Sequence, residues 1–421
     1  MSRAFVLVPL LLLVVLASRQ STRAARAGEW PSANYDGGVA ARFVPQTVSF
    51  DDLAALEVGT PTVEATTTDG AARALREDGF VAVTDVPGYA AARREALTAL
   101  DACVDAAPNA FISKHMADGT SRFTIAASSE GAAAADLDAL SPAVAAACPA
   151  FSRHAAALRR AVSSAADVLT RSLDRAAGDA SVRGPDGLPG RGFTWAFDDG
   201  RHLEHFHVYR RTSRGGSLPR PASKDTMAMH TDVGVLLAMT QQLTSPILPA
   251  ESKNGVSRSG LFVESPRKGK GKGEGKGEGA VVEVSFAADA LLFMAGEGAS
   301  RWLGADVHAP PHAMRMPPSL TRAWFGLMVL PPPQATLKTS PAKSPAKMHE
   351  GKKWEGKGEG KREGKKWEGE EEAPSFGDVH GAALAALRGG EGGRGGGLAA
   401  MHACGGGELG EGTKSCPEGE M

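Results

Sequence analysis

From Gly184-Pro185-Asp186-Gly187 to Leu330 the chain is cut into short apolar segments, and this pattern most restricts the folds open to it. Segments of β type stand at Phe193 to Phe197, Leu203 to Tyr209, Met227 to Met239, Gly260 to Glu264, Ala280 to Phe286, Ala290 to Met294 and Arg322 to Leu330. Clusters of Gly, Pro and Ser separate them, as in strands joined by turns. Many short strands with such punctuation predict a sandwich, jelly roll or barrel. The first half reads differently. A helix is expected to start at Asp51-Asp52-Leu53, a second to run from Asp69 and stop at Gly79, and a third to span Tyr89 to Val104. Ala132 to Asp179 reads as helical, with breaks near Pro142 and Pro149, and Phe80 to Val83 as a short strand.

Composition removes other options. The 421 residues carry 47 basic and 48 acidic side chains, for a net charge of -1. No basic patch with interleaved aromatics occurs, so nothing supports binding to nucleic acid. Two tracts, Lys268 to Gly279 and Pro341 to Glu372, alternate Lys or Glu with Gly and lack the apolar residues needed to offset ordering entropy. The first reads as a low-complexity loop, the second as a disordered Lys/Glu/Gly linker. At the N-terminus, Arg3 precedes an apolar run from Ala4 to Ala17 marked by Pro9. That is short for a membrane span and reads as a signal peptide cleaved after a small-residue site, leaving no stable span. The expected location is the secretory pathway or outside the cell. A signal anchor is one rival, and the Arg, Ser and Thr of residues 18 to 27 keep a bipartite plastid leader as another. Of four cysteines, Cys103 and Cys148 read as buried small hydrophobes, and Cys404 with Cys416 as a pair that an oxidising compartment could close.

Chemistry concentrates at His230-Thr231-Asp232-Val233-Gly234. In extended backbone, residues two apart share a face, so an imidazole nitrogen and a carboxylate oxygen can reach one metal ion. The pair is two-thirds of the 2-His-1-carboxylate set that leaves positions open on non-haem Fe(II). With 11 His and 48 acidic residues, chance alone gives about one such pair. His202-Leu203-Glu204 is a decoy of the same spacing. The third ligand must come later, from His308 or His312, and Arg322 stands ten residues beyond His312. His205 and His207, on one strand face, form a rival pair of cupin type, but Arg210 and Arg211 stand where a cupin would place its glutamate. No nucleophile elbow supports hydrolysis. Trp195 and Trp302 read as core, as do Met227, Met229, Met239, Met294 and Met314.

Over roughly Asp69 to Pro333 the sequence resembles the isopenicillin N synthase-like branch of the Fe(II)/2-oxoglutarate-dependent dioxygenase superfamily. The resemblance rests on Gly79-Phe80 after a helix, His230-Thr231-Asp232-Val233-Gly234, the Asp289 to Glu297 strand and Gly-acid turn, and His312 with Arg322. It implies an α+β fold with a double-stranded β-helix (jelly-roll) core behind a helical N-terminal region. It also implies iron held by His230, Asp232 and His312, and 2-oxoglutarate held through its far carboxylate by Arg322, with Tyr209 as a second contact. One departure stands out: the family's Arg-x-Ser is here Arg322-Ala323-Trp324. The expected activity is oxidation of an organic substrate, a small molecule or peptide, with release of succinate and CO2. The rival is a non-catalytic jelly-roll binding protein with a degenerate cosubstrate site. The expected divisions are a leader (1–27), a mostly helical region (28–190), a catalytic core (191–335, with the loop 268–279), a linker (336–372) and a Gly-rich tail (373–421).

Overall fold

The computed structural model describes residues 42–55, 64–116, 118–130, 142–177, 192–210, 225–245, 260–264, 281–316, 321–336 and 375–377. The stretch read as a leader, both charged tracts, Cys404 and Cys416 lie outside the described residues. The elements run β1 (Arg42–Phe43), β2 (Thr47–Ser49), α1 (Phe50–Ala55), α2 (Glu64–Glu77), β3 (Phe80–Thr84), α3 (Tyr89–Ala106), β4 (Ile112–His115), β5 (Ser121–Glu130), α4 (Pro142–Ala147), α5 (Pro149–Ala177) and α6 (Phe193–Asp199). They continue as β6 (Arg201–Arg210), β7 (Met227–His230), β8 (Leu236–Thr240), β9 (Leu243–Ser245), β10 (Leu261–Glu264), β11 (Val281–Val284), β12 (Leu291–Ala295), β13 (His312–Met314) and β14 (Thr321–Val329).

Two sheets form. The larger has the order β2-β3-β12-β8-β14-β6-β5-β4, with β9 also paired to β14; the smaller has the order β1-β11-β10-β13-β7. The pleat decides what each residue of the larger sheet does. Leu236 and Ala238 of β8, Leu291 and Phe293 of β12, Phe206 and Val208 of β6, and Phe325 and Leu327 of β14 pack against the helices. Their neighbours Leu237, Met239, Leu292, Met294, Leu203, Tyr209, Trp324 and Met328 form a second core, together with Leu261, Val263, Val284 and Met314 of the smaller sheet. The two sheets therefore face each other across the second core, and the helices cover the back of the larger one. Each large side chain buried in these layers contributes about 1.5–3 kcal/mol.

Helix α2 stops where the sequence says it should. Gly79 has φ 77°, a left-handed conformation that side chains resist, and its N–H bonds to the carbonyl of Ala74. Three expectations need correction. Phe193 to Phe197 is not a strand but lies in α6. A short apolar run is ambiguous by pattern, and the outcome is decided by α5, whose Asp174 carboxylate accepts the N–H groups of Phe193 and Thr194 at 2.8 Å each. The first half is also less helical than read, because it contributes five strands, of which β2 to β5 join the larger sheet. Finally, Cys103 and Cys148 are buried but not as free thiols. They form a disulfide between α3 and the α4–α5 junction, with Cα atoms 5.7 Å apart.

Candidate metal centre

His230 is the last residue of β7 and His312 the first of β13, and the two are direct partners in the antiparallel register. Their rings lie 4.2 Å apart between centroids. Asp232 follows in the turn after β7. That turn is held from behind by the Gly-acid turn after β12: Glu297 donates its N–H to the Asp232 carbonyl at 2.8 Å, and the Thr231 hydroxyl donates to the Glu297 carboxylate. Gly296 allows the approach, since a Cβ there would stand 2.2 Å from the Gly234 carbonyl oxygen.

One ligand atom from each of His230, Asp232 and His312 lies within 4.8 Å of the others. Asp232 faces both rings, with Oδ1 at 3.9 Å from His230 Nε2 and Oδ2 at 3.8 Å from His312 Nε2. The Nδ1 of His230 sits 2.7 Å from the Ala228 carbonyl, and that of His312 sits 3.1 Å from the Pro310 carbonyl. A carbonyl can only accept, so each Nδ1 carries a proton, which leaves each Nε2 turned to the common point as the atom available to a metal. Burial, and then the neighbouring His230, push the His312 pKa down to about 4, so its ring is neutral near pH 7. Asp232 Oδ2 is buried with no hydrogen-bond partner. Two imidazoles and a carboxylate with an unsatisfied oxygen are the donor set that suits a divalent first-row metal.

The other candidates separate cleanly. His308 is not among the three; its backbone N–H bonds to the Leu75 carbonyl beside α2. The decoy pair faces the helices. Glu204 forms a buried ion pair with Arg159 of α5, and His202 donates from Nε2 to the Phe197 carbonyl at 2.8 Å. His205 and His207 share the inner face of β6, with rings 4.7 Å apart, but no third ligand joins them among the described residues. Trp195 and Trp302 are buried as read; Met229 is only half-buried.

The three residues open on a cavity of about 500 Å³ between the sheets, within the range for small-molecule sites. Arg322 and Tyr209 line it and are register partners on β14 and β6. Tyr209 is buried, and its hydroxyl lies 3.8 Å from the Met227 sulfur. Trp324 packs against both His205 and His207, at 5.5 and 5.0 Å between ring centroids, with its indole Nε1 buried and lacking a partner. Gly326 makes the space for this stack: a Cβ there would come within 2.8 Å of both His205 and Trp324. Sequence reading missed Arg122 and Thr124 of β5, which continue these rows on the inner face. The signal was available, since Arg122, Thr124 and Ala126 alternate with Phe123, Ile125 and Ala127 at a strand's period of two.

Two facing sheets around two buried histidines and a partly buried aspartate define a mixed α/β protein with a candidate mononuclear metal centre. No protein-family model matches the sequence, and no curated protein does. Solved structures do resemble it. One is a full-length Neurospora crassa protein in complex with alpha-KG, at 14% identity, TM-score 0.46, covering 70% of this chain and 87% of that one. Another is dioxygenase for auxin oxidation 1 from Arabidopsis thaliana with 2-oxoglutarate, at 12% identity, TM-score 0.46, covering 68% and 92%. A third is JOX2 in complex with 2OG, Fe and JA, at 12% identity, TM-score 0.45, covering 72% and 79%.

Proposed function

We propose that the protein is a non-haem Fe(II)- and 2-oxoglutarate-dependent oxygenase built on a double-stranded β-helix, oxidising an organic substrate with release of succinate and CO2. The observation that carries this reading is the His230, Asp232 and His312 set, with both Nε2 atoms and an unpartnered carboxylate oxygen turned to one point. When bound, iron and 2-oxoglutarate supply the oxidising chemistry; the chain holds them and keeps water out. His230, Asp232 and His312 hold the metal, with ring orientation set by the Ala228 and Pro310 carbonyls. Arg322 suits the far carboxylate of the cosubstrate, because a planar guanidinium binds carboxylate through two parallel N–H groups. Tyr209, its register partner, is placed to give a second contact. With Trp324 where the family has serine, the residue two on from Arg322 carries a buried, unpartnered indole N–H in place of a hydroxyl.

The cavity favours a small molecule over a peptide as substrate. No described helix is long and apolar enough to cross a membrane. The secretory location proposed from the leader draws support from the Cys103–Cys148 disulfide, which suits an oxidising compartment.

The test is anaerobic titration of the iron–cosubstrate charge-transfer band. His230→Ala and Asp232→Ala are expected to abolish iron binding. Arg322→Ala should keep the metal and weaken 2-oxoglutarate by about 2–4 kcal/mol, roughly 30- to 1000-fold. A binding protein with a degenerate site would show no band in the parent.

A further inference from the structure

The metal set and Arg322 leave one buried charge of the cavity without a task. Arg122 on β5 is 5% exposed and lines the same cavity. Its Nε has no hydrogen-bond partner, and no carboxylate pairs with it among the described residues. The register runs Arg122, Tyr209, Arg322 across β5, β6 and β14, with all three on the inner face. Neighbouring strands stand about 5 Å apart, so the two arginine backbones are separated by about 10 Å with the tyrosine between them. In the next row Trp324 holds a second unpartnered buried donor, its Nε1.

Burying a guanidinium with no anion is strongly unfavourable, so its presence there points to a ligand that brings the charge. The proposed occupants do not bring it. Iron(II), the Asp232 carboxylate, doubly charged 2-oxoglutarate and Arg322 together are neutral, which leaves Arg122 one positive charge over. The other acid lining the cavity, Asp225, is already paired with Arg315 at 2.5 Å.

Position separates Arg122 from Arg322. The two arginines share one row of the sheet with Tyr209 of β6 between them, so Arg122 stands to one side of the place where Arg322 would hold the cosubstrate's far carboxylate. Much of the cavity wall is apolar, with Leu237, Met239, Leu261 and Met314 among its residues.

We propose that Arg122 anchors a carboxylate of the substrate, which makes the substrate a small organic acid with an apolar body. This rests on the oxygenase reading of the same site.

The test is anaerobic calorimetry on the full chain loaded with Mn(II) and 2-oxoglutarate, using aromatic and straight-chain monocarboxylic acids against their primary amides. The parent is expected to bind at least one acid roughly tenfold or more tightly than its amide. Arg122→Gln should erase that preference while changing 2-oxoglutarate affinity by less than about threefold, and Arg122→Lys should retain part of it. Thermal melting of both variants checks that they fold. If Arg122→Gln does not fold, the graded loss in Arg122→Lys decides the matter alone. The proposal is overturned if no acid is preferred to its amide. It is also overturned if Arg122→Gln weakens 2-oxoglutarate as much as Arg322→Gln does, for then Arg122 is a second cosubstrate clamp. A parent that takes up no 2-oxoglutarate sinks the oxygenase reading itself, which is a distinguishable result.

Discussion

Gly326 shows how one residue sets the chemistry of its neighbours. It sits between Trp324 and Met328 on the inner face and is the register partner of His205. The missing side chain is what lets the His205 ring and the Trp324 indole meet edge to face at 5.5 Å. Gly326→Ala would force both rings to move, and overpacking of this kind costs about 1–3 kcal/mol. The expected outcome is a lower urea midpoint and weaker 2-oxoglutarate binding, with metal affinity unchanged because neither ring is among the three ligands. Metal titration beside the unfolding curve checks it, and a variant that lost the metal would show that the two rows are not independent.

At the scale of elements, the larger sheet depends on how its back face meets α5. The Arg159 guanidinium and the Glu204 carboxylate are both almost fully buried and paired with each other. Arg93 of α3 adds a second tie, donating to the carbonyls of Gln241 and Gln242 between β8 and β9 at 2.5 and 2.6 Å. Removing one partner of a buried pair leaves a lone charge in the interior. Arg159→Met is therefore expected to destabilise by about 3–5 kcal/mol, while the double replacement with Glu204→Leu recovers most of the loss. Denaturation midpoints of the two variants decide it. If the double variant were as unstable as the single, the pair would contribute through its own attraction and not merely through the cost of leaving Glu204 alone.

Across the whole molecule, burial of histidines couples stability to pH. The pKa values of His202 and His205 are both pushed from 6.5 down to about 4, chiefly by burial. In the folded protein these rings stay neutral down to about pH 4, whereas in the unfolded chain they take up protons near 6.5. The unfolded state thus binds more protons inside that window, and stability falls as pH drops from 6.5 toward 4. Above 6.5 this contribution is fully present. The slope is on the order of 1 kcal/mol per pH unit for each ring. Urea unfolding of the metal-free protein at a series of pH values is expected to show uptake of more than one proton in that window. A flat profile there would mean that water reaches both rings.

The sequence by itself determined the features that a short window can encode. Alternation and turn residues are local, so most strands of the second half, the stop of α2 at Gly79 and the His230–Asp232 spacing could be read directly. The choice of His312 over His308, and the naming of Arg322 and Tyr209 as cosubstrate contacts, came from the family resemblance and not from local pattern. Tertiary structure alone decided the rest. Whether Phe193 to Asp199 became helix depended on Asp174, 19 residues away along the chain. That Cys103 meets Cys148 depended on how α3 packs beside the α4–α5 junction, across 45 residues. That Glu204 turned to Arg159 rather than to a metal, and that β5 carried Arg122 into the cavity, followed from the register of β5 on β6 and the packing of α5 behind them. Such pairings join residues distant in sequence, and their energies come from burial and register, which exist only once the sheets have closed on each other.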